Sequence, residues 1–476
     1  MNMLVSRIRE KTILLDALTQ KDAQFIAVYG RRRVGKTYLI RECLEDRFVF
    51  AHAGVYKGDY DEQLTAFSQS LSDYGLVDFE KPKNWMEAFH LLKRVIEASP
   101  KRKKVLFLDE LSWMSTRNSG LVKALEHFWN GYLSAKKNVL LVVCASATSW
   151  ILSNIVHNKG GLYGRLTDEI SLKPFTLKET EEYVEYRRLG YSKRQILEGY
   201  MVLGGIPFYW DKMRKGLSLA SNIDRLFVGD EAPLRKEHDY LFKALFDHPE
   251  VYIKIVQALA SGARAGMDYT DLLKETGEDK GGDFSDKIDE LEECGFVRKY
   301  TPFGKKSRGT LIQLIDNFTL FYHKFLNPFP TDPHFFSDSL ESGSWRAWSG
   351  LAFERVCLQH VSQIKEALRI GGVRTEVCSF QCQADEKRRT EGSQIDLLVV
   401  RKDDTINLCE MKFSNKPYSV TEEDVDAMET KRSDLIAVTE TEYAIMPTLI
   451  VFPKVKKNAY SDEYSAIIEA ESLFLL

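Results

Sequence analysis

A short apolar segment runs directly into a glycine-rich loop near the N-terminus, and this combination constrains the fold more than any other part of the sequence. Residues 24–29 read QFIAVY, which is typical of a buried strand, and residues 30–37 read GRRRVGKT, the pattern GxxxxGK[ST]. Leu39, Ile40 and Cys43 then recur at helical spacing. A strand, this loop and a helix in succession predict a phosphate-binding loop, in which backbone N–H groups and a helix N-terminus face an anionic phosphate.

The same pattern predicts an ATP site with Mg2+ as its metal. Lys36 would bridge the terminal phosphates, and the hydroxyl of Thr37 would hold the metal. A second apolar run, residues 105–108, ends at Asp109 and Glu110. We expect Asp109 to hold Mg2+ through water and Glu110 to polarise the attacking water, which makes the site hydrolytic. The residues expected to contact the nucleotide from the loop are Gly30, Arg31, Arg32, Arg33, Val34, Gly35, Lys36, Thr37 and Tyr38.

Two further polar residues are candidates for contact with the nucleotide. Ser146 follows a third apolar run, residues 139–144, and would either contact the γ-phosphate or cap the helix that follows. Arg165 would either reach a nucleotide, in its own subunit or in a neighbouring subunit of a homo-oligomer, or form a surface salt bridge.

Capping boxes predict two helices after these motifs. Thr176 with Glu179, and Ser192 with Gln195, fit the pattern S/T-x-x-E/Q. The second helix runs into the sequence Gly-Gly-Ile-Pro at residues 204–207, which must stop or bend it.

The order of these motifs resembles the archaeal ATPase group within the AAA-like and STAND P-loop NTPases. The shared features are the arginine-rich loop, the Asp-Glu pair, the Gly-Arg of residues 164–165 and the Gly-Gly-Ile-Pro. The resemblance covers roughly the first half of the chain. It implies an α/β ATPase core with a parallel sheet over residues 1–173 and a helical lid over residues 174–235. It also implies that Pro207 lies near the base, and that Arg7 lies beside the nucleotide, in a GRxxE-like pattern with serine as its first residue.

Residues 236–330 show a pattern of three helices and two strands, which predicts a winged helix-turn-helix. Its third helix would enter the major groove of DNA, but it carries six acidic residues opposed only by Lys287, so phosphates would repel it. We therefore favour a structural or regulatory role, including contact with a protein partner, over DNA reading. Lys305, Lys306 and Arg308 in the wing could still touch a nucleic-acid backbone. The acidic residues of the third helix are Asp283, Asp286, Asp289, Glu290, Glu292 and Glu293.

The C-terminal segment carries three carboxylates and a lysine that suit metal-assisted cleavage of a phosphodiester. A predicted amphipathic helix over residues 348–364 bears Glu354, and Asp396 lies at the head of a later strand. A turn returns the chain to Glu410 and Lys412, which are two residues apart and so share one face of the next strand. Carboxylate oxygens bind Mg2+, and an ammonium group orients water or stabilises developing charge.

The spacing D-x13-E-x-K, with a glutamate on an upstream helix, resembles the PD-(D/E)XK nuclease superfamily. The resemblance implies an α/β restriction-endonuclease-like domain over residues 346–476, joined by a linker over residues 331–345. It assigns Mg2+, or Mn2+, to Glu354, Asp396 and Glu410, and the catalytic lysine to Lys412. A basic loop, with Lys387, Arg388 and Arg389, precedes Asp396 and would supply local positive charge.

Composition excludes several classes of protein. The chain has 476 residues, with 66 Lys and Arg against 69 Asp and Glu, so its net charge of -3 excludes a wholly electrostatic nucleic-acid binder. Seven scattered cysteines argue against a disulfide framework or a zinc site. The lack of a long apolar run argues against a signal peptide or membrane segment, and predicts a soluble, cytoplasmic protein.

Two functions from different classes follow from these patterns. In the first, ATP binding and hydrolysis control a Mg2+-dependent nuclease that acts on DNA. In the second, the chain is a switch ATPase that binds a protein partner and uses the nuclease-like domain only as a docking surface. The acidic third helix of the predicted winged helix favours the second.

Overall fold

A computed structural model describes residues 4–246, 248–262, 266–305 and 309–475. It divides into two compact units, Met1–Pro174 and Phe175–Leu476. None of the helices in these described ranges combines the length and the apolar character needed to cross a membrane.

The first unit is built on a five-stranded parallel sheet with the strand order β2-β3-β4-β1-β5. Strand β4, at the centre, is apolar along its whole length because helices cover both faces of such a sheet, and every residue of β4 is buried. The predicted α/β class with a parallel sheet is therefore confirmed. The strands are β1 Gln24–Tyr29, β2 Phe48–Ala53, β3 Lys104–Asp109, β4 Val139–Ala145 and β5 Asp168–Ser171.

Helices pack their apolar faces on this sheet and on one another. In the apolar core of this unit, the rings of Phe89 and Phe128 stack with centroids 5.0 Å apart and join the helices α4 and α6. The helices of the first unit are α1 Ile8–Thr19, α2 Lys36–Leu44, α3 Tyr60–Asp73, α4 Trp85–Ala98, α5 Leu111–Met114, α6 Leu121–Gly131 and α7 Thr148–Ile151.

The second unit begins with five helices. Both predicted capping boxes are present, with Thr176 at the start of α8 and Ser192 at the start of α9. Helix α9 ends at Leu203, with Gly204 as its C-cap. The next glycine, Gly205, lies against the backbone of Phe175, whose N–H donates to the Gly205 carbonyl at 2.6 Å. These helices are α8 Leu177–Tyr186, α9 Lys193–Leu203, α10 Pro207–Asp211, α11 Leu219–Phe227 and α12 Glu237–Leu245.

The described residues of the next part of the second unit form helices α13, α14 and α15, the short helix α16, and a small antiparallel sheet with the order β6-β8-β7. The helices and two of the strands fall where the sequence predicted them, whereas the two-residue strand β6 was not predicted. The predicted wing residues Lys306 and Arg308 lie outside the described residues. The elements are α13 Pro249–Ser261, β6 Met267–Asp268, α14 Tyr269–Thr276, α15 Gly282–Glu293, β7 Val297–Tyr300, β8 Leu311–Leu314 and α16 Asn317–Phe321.

The C-terminal part is a mixed five-stranded sheet with the order β13-β12-β11-β10-β9. Strands β9, β10 and β11 are antiparallel neighbours, whereas β11, β12 and β13 are parallel. Helix α20 packs on the face that carries Ile406 and Leu408. The remaining elements are α17 Phe335–Ser339, α18 Gly343–Gln359, α19 Val361–Ala367, β9 Thr375–Cys382, β10 Ser393–Arg401, β11 Thr405–Phe413, α20 Glu422–Thr439, β12 Ala444–Phe452 and β13 Ala466–Glu469.

The structure differs from the sequence prediction between residues 331 and 364. The predicted linker, residues 331–345, contains helix α17 and the start of helix α18. Helix α18 begins here because the Ser342 side chain caps it by accepting the N–H of Trp345. Phe336 and Trp345 pack edge to face with ring centroids 5.0 Å apart, so this segment is part of the core. The predicted single helix is broken at His360, which separates α18 from α19.

Candidate functional site

The candidate nucleotide site lies where the carboxyl ends of three adjacent strands meet. Gly30 follows β1, Asp109 ends β3 and Ser146 follows β4, and β4 lies between β1 and β3 in the sheet. Gly30 is required at its position because its φ is 142° and a Cβ there would lie 2.2 Å from the carbonyl oxygen of Leu172. The topology therefore brings together motifs that are more than a hundred residues apart in sequence.

Lys36 is held inside the loop by three acceptors. Its Nζ donates to the carbonyl oxygens of Gly30 at 2.7 Å and Arg31 at 3.1 Å, and to the hydroxyl of Ser146 at 2.9 Å. The side chain is 5% exposed. The ammonium group is thus fixed at the mouth of helix α2, where the loop N–H groups and the helix dipole favour an anion.

Ser146 also binds the predicted water-polarising residue, Glu110. Its hydroxyl donates to Oε1 of Glu110 at 2.5 Å, and its backbone N–H donates to Oε2 at 3.0 Å. Helix α7 begins after Ala147, without a side-chain cap. The structure therefore excludes the role of Ser146 as a helix cap and places it between Lys36 and Glu110.

Thr37 and Asp109 provide oxygen atoms that suit Mg2+. The Thr37 hydroxyl donates to Oδ2 of Asp109 at 2.7 Å, and Oδ1 of Asp109 accepts the backbone N–H of Glu110 at 3.0 Å. Mg2+ takes oxygen ligands and commonly needs only one or two protein groups besides water and phosphate. This donor set fits the predicted metal.

The other residues predicted around the nucleotide occupy varied environments. Arg7 is buried and its Nη2 donates to the carbonyl of Lys173 at 2.7 Å. Arg32 lies over the ring of Trp113, with 5.7 Å from Cζ to the centroid, and Val34 is buried. Arg31 is buried, Arg33 has a φ of 73°, Gly35 has a φ of 92°, and Tyr38 is exposed.

Arg165 and Pro207 lie in different units. Arg165 is exposed in the first unit, in a turn where its N–H donates to the carbonyl of Leu162 at 3.0 Å. Pro207 is the first residue of α10 in the second unit, which is a favoured position for proline.

The C-terminal candidates form a network of charges around Glu410. Lys431 on α20 binds Oε2 of Glu410 at 2.5 Å, and Lys412 lies 3.4 Å from Oε1. Lys412 is also 3.1 Å from Asp424, which accepts the hydroxyl of Tyr418 at 2.6 Å. Burial disfavours the charged form of Lys412, but Glu410 and Asp424 outweigh it and raise the pKa of this lysine. Lys412 is therefore held as a cation between two carboxylates.

Three residues of this network, Asp424, Lys431 and Tyr418, are not among the site residues predicted from the sequence. A signal for two of them was present, because Asp424, Met428, Lys431 and Leu435 follow the 4-3-4 spacing of one helix face. Met428 and Leu435 on this face pack in the core beneath α20, so the two charged residues point at the same sheet face as Glu410.

The structure does not assemble the predicted metal set of Glu354, Asp396 and Glu410. A β-bulge between Ile395 and Leu398 displaces Asp396 from the regular alternation of β10. Glu354 is buried on helix α18, which packs against strand β11. Cys409 on that strand is near enough to Cys357 on α18 to contribute to the raised pKa of the Cys357 thiol. Glu410, the next residue after Cys409, points to the opposite face of the sheet. Among the described residues, no group of three or more His, Cys, Asp or Glu side chains could hold a metal ion. As arranged, these residues do not fit a preformed metal centre.

Asp396 contacts a neighbour on its own strand and lies near enough to Arg298 to affect it. It accepts a hydrogen bond from Nε2 of Gln394 at 2.7 Å. Burial lowers the pKa of Arg298 on β7 to about 10, while the charges of Tyr300 and Asp396 act in the opposite direction. The charge of Arg355 on α18 also lowers the pKa of Arg298.

Comparisons with known proteins agree with the architecture of the nucleotide site. Residues 4–212 match the family model of an ATPase domain predominantly from Archaea. The chain is 24% identical over 406 residues to the uncharacterized protein MJECL04 of Methanocaldococcus jannaschii, covering 84% of this chain and 85% of that protein.

Two solved structures are similar to this chain at low identity. The Walker-type ATPase PABY2304 of Pyrococcus abyssi has a TM-score of 0.49 and 17% identity, covering 68% of this chain and 96% of its own. The ORC2 protein of Aeropyrum pernix, in ADPNP-ADP complexes, has a TM-score of 0.39 and 15% identity, covering 76% of this chain and 97% of its own. The family match and the geometry of the loop agree that residues 4–212 are similar to an ATPase domain predominantly from Archaea.

Proposed function

We propose that this chain is an ATP-hydrolysing switch, in which the state of the nucleotide determines how the second unit engages a partner. The observation that carries this proposal is the continuous hydrogen-bonded path from Lys36 through Ser146 to Glu110. A group that binds phosphate and a group that acts on water are thereby linked through one hydroxyl.

Phosphate binding follows from the loop itself. The ammonium group of Lys36 would exchange its present acceptors for oxygens of the β- and γ-phosphates, and the N–H groups at the start of α2 would complete the cradle. Mg2+ bound by Thr37 and Asp109 would neutralise charge on the phosphates. The apolar strands around the loop keep these interactions in a poorly solvated region, where they are stronger than in water.

Hydrolysis requires a base beside the γ-phosphate. Glu110 would accept a proton from water as the water oxygen bonds to the γ-phosphorus and the bond to the bridging oxygen of ADP breaks. The two hydrogen bonds from Ser146 orient the Glu110 carboxylate for this role. ATP turnover by the full chain, with Lys36→Ala as the inactive control, is the direct test.

Contacts within the second unit support a switch. Arg194 at the start of α9 donates from Nη2 to Oδ1 of Asn415 at 2.6 Å, and from Nη1 to the Asn415 carbonyl at 3.2 Å. Asn415 lies two residues beyond the end of strand β11, which carries Glu410 and Lys412. A displacement of the predicted lid would therefore act on the C-terminal sheet through a charged, hydrogen-bonded contact.

A Mg2+-dependent nuclease is the second candidate function. It is supported by one observation: Asp396 and Glu410 flank the paired residues Leu397 and Cys409 on neighbouring strands, with Lys412 two residues further on. The pairing of Glu410 with two lysines argues against it.

Nicking of supercoiled plasmid separates the two candidates. The full chain would be incubated with Mg2+ or Mn2+, with and without ATP, beside Lys412→Ala. Cleavage that is lost in Lys412→Ala while ATP turnover persists would establish the nuclease. ATP turnover without cleavage under either metal would favour the switch.

A further inference from the structure

We infer that a basic groove in the second unit binds the phosphodiester backbone of nucleic acid. The groove has a volume of about 690 Å³ and lies between the loop after β7 and the turn that joins β9 to β10. Lys305 lines one side, and Lys387 and Arg388 line the other. These cations come from segments about eighty residues apart in sequence, yet they face the same space.

The β9–β10 turn holds its basic side chains outward. Asp385 and Thr390 exchange two backbone hydrogen bonds, each of 3.1 Å, which close the turn. The carboxylate of Asp385 accepts the backbone N–H groups of Lys387 at 2.9 Å and Arg388 at 3.4 Å. Asp385 is therefore used to fix the backbone, whereas Lys387, Arg388 and the neighbouring acid Glu386 remain exposed.

These cations are not neutralised by the protein. Across the ranges that the structure describes, Lys305, Lys387, Arg388 and Arg389 form no ion pair, whereas many other surface cations do, such as Lys81 with Asp61. Three cations against the two acids Asp385 and Glu386 leave the lining of the groove with a net positive charge, which raises the local concentration of anions. The net charge of the whole chain is -3, so this local excess is not a property of its overall composition.

The lining of the groove favours a nucleic acid over an acidic protein. Its other polar groups include the amides of Gln381 and Gln383, which can donate hydrogen bonds to phosphate. Protein interfaces usually have an apolar centre, but apolar side chains are few here, among them Cys382 and Val438. Nucleic-acid interfaces are more polar and more positive, as this groove is.

The proposed contact does not use the acidic helix α15. Several of its acids are already bound within the domain: Asp283 pairs with Lys287, and Asp289 and Glu292 pair with Lys299. They therefore serve the folded domain, and their repulsion of phosphate does not extend to a groove formed by Lys305 and the β9–β10 turn.

Binding of a fluorescein-labelled DNA duplex to the full chain, measured by anisotropy over a range of salt concentrations, tests this inference. EDTA is present and ATP is absent, so that the result depends on neither hydrolysis nor cleavage. The groove variant is Lys387→Gln with Arg388→Gln. The matched control is Lys456→Gln with Lys457→Gln, an exposed pair that also loses two positive charges but does not line the groove.

Each phosphate contact contributes about 0.9 to the slope of log affinity against log salt for duplex DNA. We expect the groove variant to lose about 1.8 of that slope and roughly tenfold in affinity at moderate salt, while the control stays close to the parent. A circular-dichroism melt of each variant checks that it is folded.

Three results would overturn the inference. The first is a parent chain that does not bind duplex or single-stranded DNA or RNA in this assay. The second is equal loss in the groove and control variants. The third is binding that polyglutamate displaces as well as nucleic acid does, which would assign the groove to an acidic protein. The failure of ATP turnover would affect none of these results, so the two proposals fail separately.

Discussion

Ser146 donates its hydroxyl to Oε1 of Glu110 at 2.5 Å and its backbone N–H to Oε2 at 3.0 Å. The two residues follow neighbouring strands, β4 and β3, whose register pairs Val143 with Leu108. Because the same hydroxyl accepts Nζ of Lys36, any phosphate that draws Lys36 away also changes what holds Glu110. Lys36 and Glu110 are therefore coupled through Ser146, and substitutions of these residues test that coupling.

Glu110→Gln should stop hydrolysis while ATP binding is preserved. The amide keeps the shape of the carboxylate but cannot accept a proton from water, and removing a general base typically costs about 10² to 10⁴ in rate. We expect a fall in kcat of about a hundredfold or more, with ATP affinity within about threefold of the parent. Phosphate release and binding of a fluorescent ATP analogue measure the two effects. The exposed Glu42→Gln on α2 is the control, and turnover above a tenth of the parent in Glu110→Gln would contradict the assignment.

Ser146→Ala should lower kcat by about tenfold and change KM little, because Lys36 keeps its two carbonyl partners but Glu110 loses one of its two donors. If Ser146 acts through Glu110, its substitution should add little to the defect of Glu110→Gln in the double variant. Additive losses would show instead that Ser146 acts on the nucleotide independently. Ser146→Thr, which retains a hydroxyl, should recover part of the lost rate.

Local sequence signals predicted much of this molecule because they describe short-range physics. The loop of residues 30–37, the end of β3 at Asp109, and the capping boxes at Thr176 and Ser192 each depend on groups a few residues apart. The packing of Phe336 on Trp345 depends on tertiary contacts rather than on a local pattern. The prediction of a linker over residues 331–345 is wrong for this reason.

Long-range partners account for the rest of the differences at the candidate sites. The spacing of Asp396, Glu410 and Lys412 along the chain could not reveal the bulge in β10 or the arrival of Lys431 from α20. Nor could it show that Ser146 would bind Glu110, because two equally reasonable local roles existed for a serine after a strand. These features depend on which elements become neighbours in the sheet.

His360 should make the stability of the second unit depend on pH. Its Nε2 accepts the N–H of Leu177 at 2.9 Å, and its Nδ1 donates to the carbonyl of Val356 at 2.7 Å, so the ring must be neutral. Burial lowers the pKa of His360 to about 4, against about 6.5 in an unfolded chain. The unfolded state therefore binds the proton first, and stability is complete above about pH 6.5 and is lost as the pH falls towards 4.

Urea unfolding of the full chain near pH 7 and pH 5 measures this effect. The contribution of His360 to the free energy of unfolding should decrease by about 2 kcal/mol between these conditions. His323 in the same unit also has a pKa lowered to about 4 by burial, so the comparison must be with His360→Gln, which removes only the His360 term. An equal dependence on pH in the parent and in His360→Gln would contradict the role given to this ring.

Gly205→Ala should destabilise the second unit because the backbone of Phe175 occupies the space that a side chain would need. A Cβ at residue 205 would lie 1.9 Å from the Phe175 carbonyl oxygen and 2.8 Å from its nitrogen, and neither atom can move without disrupting the start of α8. We expect a cost of at least about 2 kcal/mol in the free energy of unfolding, seen as a lower melting temperature.

Gly350→Ala is the matched control, since nothing lies within 4 Å of its Cβ position on α18 and alanine favours a helix. It should leave stability unchanged or raise it by up to about 1 kcal/mol. Equal melting temperatures of Gly205→Ala and Gly350→Ala would show that the close approach of Gly205 to the Phe175 backbone does not require glycine at this position.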